Sequence, residues 1–181
     1  MLKRILDIIF SFIFVIIFSW LYLIIAICIL IDDGFPILYK PIRRGKNKKD
    51  FLCYKFRTMK NNKNKEILRT GNFLRKSNLD ELPQFFNVIF GSMSVVGPRP
   101  HDIDEDNIFS DQIENYDNRF LFKPGITGYA GIKGNRGGTD INIIRERVKL
   151  DLFYINNYSF FLDIKIIFFT VILTLSGRKS I

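Results

Sequence analysis

The 181-residue chain is poor in the side chains from which small proteins usually build metal centres and covalent cross-links: one histidine and two cysteines. A single histidine leaves no His/Cys cluster for zinc. Cys28 lies inside a long apolar run and Cys53 beyond it, which excludes a disulfide framework and points to a reducing compartment. No fixed-period repeat or collagen-like glycine pattern occurs, so a solenoid or fibre is excluded. Hydrophobic residues make up 48% of the chain and Phe alone contributes 19, which excludes a disordered chain. The length suits one domain.

Positive charge is abundant and unevenly placed. The formal charge is +9. Residues 40 to 76 hold fourteen Lys/Arg against Asp50 and Glu66, whereas residues 101 to 117 carry seven acids and no Lys or Arg. A basic block beside an apolar run calls for an anionic partner: lipid headgroups, phosphate esters or nucleic acid.

The apolar run extends from Ile8 to Ile31, 24 residues without a charge. A spanning helix needs about 20 such residues. The run ends in Asp32-Asp33-Gly34-Phe35-Pro36 with no small-residue cleavage site, so it reads as a retained anchor. Both flanks are basic, Lys3 and Arg4 before it and the dense block after it. A single span would leave one positive flank outside, whereas a re-entrant helix returns both to one face. Charge alone leaves both open. A re-entrant helix requires a break, and the midpoint falls at Ser19-Trp20, where a serine hydroxyl can take up a freed backbone group. Near the other end, residues 164 to 175 are too short to span and read as an interfacial or core helix.

Between these lie shorter signals. Residues 35–39 and 51–56, separated by Arg44-Gly45-Lys46-Asn47, read as a β-hairpin. Residues 60–66 are too polar to pack and read as a mobile surface loop. Ser77 with Asp80, or Asn78 with Glu81, forms a capping-box pattern that opens a helix running to Gly91, its apolar face being Leu79, Leu82, Phe86 and Ile89. Helical character resumes from Arg145 to Tyr154.

Asp80-Glu81 is the most informative pair. It reads either as negative charge complementing a helix dipole or as a site in which a carboxylate attacks phosphorus or holds Mg²⁺. Arg99, fixed between Pro98 and Pro100, offers a stiffly held guanidinium fork for phosphate. Lys55 and Arg57 read as phosphate ligands or as the polar face of a strand. His101 and the glycine-flanked Arg136 are weaker candidates.

Several motifs then coincide in one order: Lys3-Arg4-x-x-Asp7, Tyr54-Lys55-Phe56-Arg57-Thr58-Met59, Leu79-Asp80-Glu81-Leu82-Pro83-Gln84, Val96-Gly97-Pro98-Arg99-Pro100, Lys123-Pro124-Gly125-Ile126-Thr127-Gly128, and Asp151-Leu152-x-Tyr154. The chain resembles the bacterial sugar transferases, the monotopic polyprenyl-phosphate phosphoglycosyl transferases, in their minimal catalytic form.

The resemblance implies an α+β, predominantly α fold. A re-entrant membrane helix over residues 1–33 and interfacial amphipathic helices would accompany a cytoplasm-facing catalytic domain over 34–181, on the bacterial inner membrane. It implies transfer of a sugar-1-phosphate from a UDP-sugar to undecaprenyl phosphate, with Asp80 as nucleophile and metal ligand, Glu81 completing the dyad, and Mg²⁺ on the diphosphate. Arg75, Arg99, Lys55 and Arg57 would face phosphate, Arg136 and His101 the nucleotide sugar, and Lys3, Arg4, Asp7 and Ser19 the lipid. The partners implied are the two substrates and the bilayer; nucleic acid is not among them, and a homodimer is left open. The sequence around Arg99 and Arg136 looks most like the glucose-1-phosphate branch, with galactose-1-phosphate or an N-acetylated sugar open. It departs from the family at Ser19-Trp20, where Ser-Pro is usual, and at Ser92. A membrane-anchored scaffold or anionic-lipid-binding module is the competing reading.

Overall fold

The computed structural model describes residues 2–62, 64–135, 138 and 140–177. In chain order the elements are α1 (Leu2–Ile17), α2 (Ser19–Asp33), β1 (Leu38–Tyr39), β2 (Ile42–Arg44), β3 (Asp50–Leu52), β4 (Lys55–Phe56), α3 (Gly71–Ser77) and α4 (Gln84–Phe90). They continue with β5 (Ser94–Val96), α5 (Ile103–Gln112), β6 (Gly125–Thr127), α6 (Tyr129–Ile132), α7 (Ile141–Asn156) and α8 (Phe160–Ser176). The architecture is α+β, mostly helical with small two-stranded sheets. It divides into two compact units, residues 1–41 with 52–90, and residues 42–51 with 91–181.

In the first unit the apolar run becomes two helices, α1 and α2, bent by 62° about Phe18. The break comes one residue before the expected Ser19-Trp20. It leaves few backbone groups stranded: the Phe18 N–H donates to the Phe14 carbonyl at 3.0 Å, and the N–H groups of Leu21 and Tyr22 both donate to the Phe18 carbonyl. No single described helix is long and apolar enough to cross a membrane. The burial of α1 is inverted relative to a helix facing water. Its buried residues are Asp7 and Ser11, while Phe12, Ile16 and Ile17 are exposed.

The expected hairpin forms as the antiparallel pair β1–β4, with Leu38 opposite Phe56 and Tyr39 opposite Lys55. Phe56 joins Ile25, Ile29, Leu68 and Leu74 in a buried cluster, edged by Tyr22, Leu79 and Leu82. Asn61, Asn62, Asn64, Lys65 and Glu66 are exposed, and a bridge between Met59 and Ile67 joins the two sides of this stretch.

In the second unit β5 and β6 run parallel, Ser94 beside Gly125 and Val96 beside Thr127. This pairing joins two motifs far apart in sequence. Their glycines permit the approach: a Cβ on Gly125 would lie 2.1 Å from the Gly97 nitrogen, and one on Gly97 would lie 2.3 Å from the Lys123 carbonyl oxygen. Backbone cannot yield as a side chain can, so Gly125→Ala should cost about 3 kcal/mol. The expected readout is a lowered denaturation midpoint for the protein in membranes or detergent. Phe109, Ile113, Tyr116, Phe120, Ile144 and Val148 make one buried cluster of this unit.

Candidate active site

Asp80 and Glu81 do not open an α-helix. Asn78, at φ 56°, ends α3 in the left-handed region, with its N–H on the Arg75 and Leu74 carbonyls. Asparagine tolerates that region better than most residues. A single 3₁₀ turn, Leu79–Glu81, follows, and α4 begins only after Pro83. Proline lacks the N–H that would continue an earlier helix through this point. The expected capping box does not form on Ser77, whose hydroxyl donates back to the Phe73 carbonyl at 2.7 Å. In a 3₁₀ turn successive side chains diverge by about 120°, so the two carboxylates enter different surroundings.

Glu81 is buried, 9% exposed, and its Oε1 accepts from the Lys55 Nζ at 2.8 Å. Asp80 stays half-buried. Burial, with the neighbouring Glu81 charge, holds the Asp80 carboxyl above the usual carboxylate range, while the positive charges of Lys55 and Arg75 pull it down. Arg75 is exposed, with its Nε donating to the Thr58 hydroxyl at 2.8 Å. Asp80, Glu81, Lys55 and Arg75 therefore act on one another within a single compact unit.

Arg57 is a correction. It is 6% exposed, and its guanidinium donates to the carbonyls of Pro36, Met59, Asp33 and Gly34 and to the Asp33 carboxylate. Those five acceptors use all five N–H groups that an arginine has. It fastens the chain reversal after α2 and keeps no donor for a substrate phosphate. Lys55, also expected on phosphate, is engaged by Glu81.

The N-terminal motif likewise turns toward protein. The Arg4 guanidinium donates to the Val88 carbonyl and, at 2.8 Å, to that of Ile89. Asp7 is buried. Lys3 is half-buried and Ser19 is exposed.

In the second unit Arg99 is exposed in the segment after β5. His101, expected at the nucleotide sugar, is buried instead. Its Nε2 lies 3.1 Å from Arg147 and its Nδ1 2.6 Å from the Tyr116 hydroxyl. Arginine can only donate, and Arg119 also lies 3.1 Å from Nδ1, so both ring nitrogens face a guanidinium, while the Tyr116 hydroxyl donates to Asp106 at 2.6 Å. Burial, then the positive charges of Arg119 and Arg147, drive the imidazole pKa down and keep it neutral. Arg119 completes the network, with its Nε on Asp151 at 2.9 Å and another nitrogen donating to the Arg99 carbonyl at 2.7 Å. His101 is thus a structural residue. Arg136 lies outside the described residues.

For Mg²⁺ the donor set is narrow. No group of three or more His, Cys, Asp or Glu that could hold a metal occurs among the described residues. One available carboxylate, Asp80, fits an ion that takes one or two carboxylates and fills its remaining positions with substrate phosphate and water.

Sequence reasoning missed Tyr22, Asn87 and Arg119. Tyr22 alone left a signal, since a tyrosine inside an apolar run needs a partner for its hydroxyl; here that is the Leu82 carbonyl, at 2.7 Å.

Comparison with known proteins matches residues 1–177 to the family described as Bacterial sugar transferase. The chain is 41% identical to a UDP-glucose:undecaprenyl-phosphate glucose-1-phosphate transferase of Klebsiella pneumoniae, over 93% of this chain and 39% of that one. It is 39% identical to the protein of that name from Escherichia coli (strain K12), over 94% of this chain and 39% of that one. It is 37% identical to the exopolysaccharide production protein PSS of Rhizobium leguminosarum bv. phaseoli, over 99% of this chain and 98% of the other. The chain spans about two fifths of the length of the first two relatives and nearly all of the third. With 177 of its residues matched, the chain belongs to the bacterial sugar transferase family.

Proposed function

We propose that the protein transfers a sugar-1-phosphate from a UDP-sugar to undecaprenyl phosphate at the inner face of the bacterial cytoplasmic membrane, as a step in cell-surface polysaccharide assembly. An oxygen of Asp80 attacks the phosphorus that bears the sugar. The bond from that phosphorus to the bridging oxygen breaks, and UMP leaves with the electron pair. An oxygen of undecaprenyl phosphate then attacks the same phosphorus, breaking its bond to Asp80 and restoring the carboxylate. The product is a lipid-linked diphosphosugar.

The observation that carries this reading is the division of labour within the dyad. Glu81 is buried against Lys55, whereas Asp80 is the more accessible carboxylate, under the positive charges of Lys55 and Arg75. Phosphoryl transfer relies chiefly on positioning and charge neutralisation, and both substrates are anionic. Mg²⁺, held by Asp80 and the substrate diphosphate, would neutralise charge on the phosphates. Arg75, whose charge acts on Asp80, is assigned to the same phosphates.

The bent pair α1–α2 is read as re-entrant. Its burial supports this, because a helix that hides Asp7 and Ser11 and exposes Phe12, Ile16 and Ile17 suits lipid better than water. Exposed Phe161, Phe168 and Leu175 on α8 suit the interface.

The test is to incubate the purified chain with a panel of UDP-sugars and Mg²⁺, without lipid acceptor, and search for a phosphosugar adduct by mass spectrometry. Expected is an adduct on the peptide carrying Asp80, discharged by undecaprenyl phosphate. UMP release with no adduct would remove the covalent step; no turnover of any UDP-sugar would favour a scaffold.

A further inference from the structure

The apolar helix pair does more than hold the protein in a bilayer. Both of its arms grip the short helix that follows the Asp80-Glu81 turn. From α2, the Tyr22 hydroxyl donates to the Leu82 carbonyl at 2.7 Å, one residue past Glu81. The Tyr22 ring lies 5.8 Å from that of Phe56, beside Lys55 on β4, and meets Phe86 of α4 edge-on at 5.7 Å. From α1, Arg4 donates to the Val88 and Ile89 carbonyls, which belong to the last turn of α4. The last four carbonyls of a helix lack intrahelical partners, and a cation there also complements the helix dipole. Between these two grips, Asn87 donates to the Leu52 carbonyl at 2.7 Å and accepts from the Tyr54 N–H at 2.8 Å. It thereby fixes the segment that delivers Lys55 to Glu81.

We propose that Tyr22 and Arg4 are positioning residues, through which the bent apolar pair sets the geometry of the Asp80-Glu81 turn. This deepens the function proposed above and rests on it. Helix α4 spans only seven residues, and helices that short do not hold themselves in water. Its orientation, and that of the 3₁₀ turn before it, is supplied from outside. Neither residue need touch substrate.

The experiment uses the full chain in membranes, with Tyr22→Phe and Arg4→Met. Phenylalanine keeps the ring and removes only the hydroxyl. Loss of one such hydrogen bond should lower kcat about five- to tenfold, with the KM for the UDP-sugar and membrane retention unchanged. A loss confined to KM, or loss of membrane retention alone, would overturn the proposal, as would wild-type kcat in both variants. Amide hydrogen exchange supplies a readout independent of turnover: exchange at residues 79–83 should quicken in Tyr22→Phe, and unchanged exchange there overturns the positioning role. Should the unaltered chain turn over no UDP-sugar while Tyr22→Phe quickens that exchange, the assigned reaction fails and the coupling between helix and turn stands.

Discussion

Asp80→Asn abolishes UMP release, by at least about three orders of magnitude relative to the unaltered chain, and leaves the protein folded and membrane-bound. An amide has no anionic oxygen to offer phosphorus, yet it matches the carboxylate in size. Stability should move the other way. Burial, then Glu81, raise the Asp80 pKa in the folded protein. In the unfolded chain the carboxyl ionises first as pH rises, so between the ordinary carboxylate value and the folded one the native state loses stability, and above that window the loss is complete. Asparagine has no such loss, and Asp80→Asn should therefore melt no lower than the unaltered chain at pH 7, and higher if anything. The same raised pKa places the acid limb of kcat/KM above the usual carboxylate range, because only the ionised form attacks. Residual turnover in Asp80→Asn, or a melting temperature several degrees lower, would separate this residue from the role given to it.

The site was legible in the sequence where it depends on local chemistry and obscure where it depends on distant backbone. Twenty-four uncharged residues fix helix, because a lone segment in an apolar surrounding satisfies its own backbone only as a helix. The sequence did not place the bend at Phe18, which follows from that residue's own backbone angles rather than from Ser19. The Asp-Glu pair stood out, but its 3₁₀ turn did not: Ser77, Asn78, Asp80 and Glu81 satisfy a capping pattern that Asn78 overrides by turning left-handed. Arg57 looked like a phosphate ligand because its five acceptors are four carbonyls and a side chain brought round by a chain reversal. His101 misled for a related reason, its two arginines lying 18 and 46 residues away. The β5–β6 pair has three-residue strands, too short for alternation to register. Its trace in the sequence was the glycines of two separate motifs, which touch only in the fold.

Lys55→Met should have the second-largest effect, and its pH profile tests how the dyad is wired. The Lys55–Glu81 pair is mostly buried, with side chains 18% and 11% exposed. Removing one partner of such a pair leaves the other charge unsupported, at a cost of about 3 kcal/mol. Activity at neutral pH should fall roughly ten- to a hundredfold, since a positive charge acting on Asp80 and the restraint on Glu81 vanish together. Lys55 also lowers the Asp80 pKa, so in Lys55→Met the acid limb should move to higher pH while Glu81 stays ionised. The double variant Lys55→Met with Glu81→Gln separates the two contributions. Glutamine carries no charge to strand, so part of the lost stability should return. Glu81 raises the Asp80 pKa and Lys55 lowers it. Removing the Glu81 charge as well should therefore bring the acid limb to lower pH than in Lys55→Met, although kcat stays depressed without the cation. If instead the limb of the double variant coincides with that of Lys55→Met, the Glu81 charge does not act on Asp80, and the titrating group behind that limb is another residue.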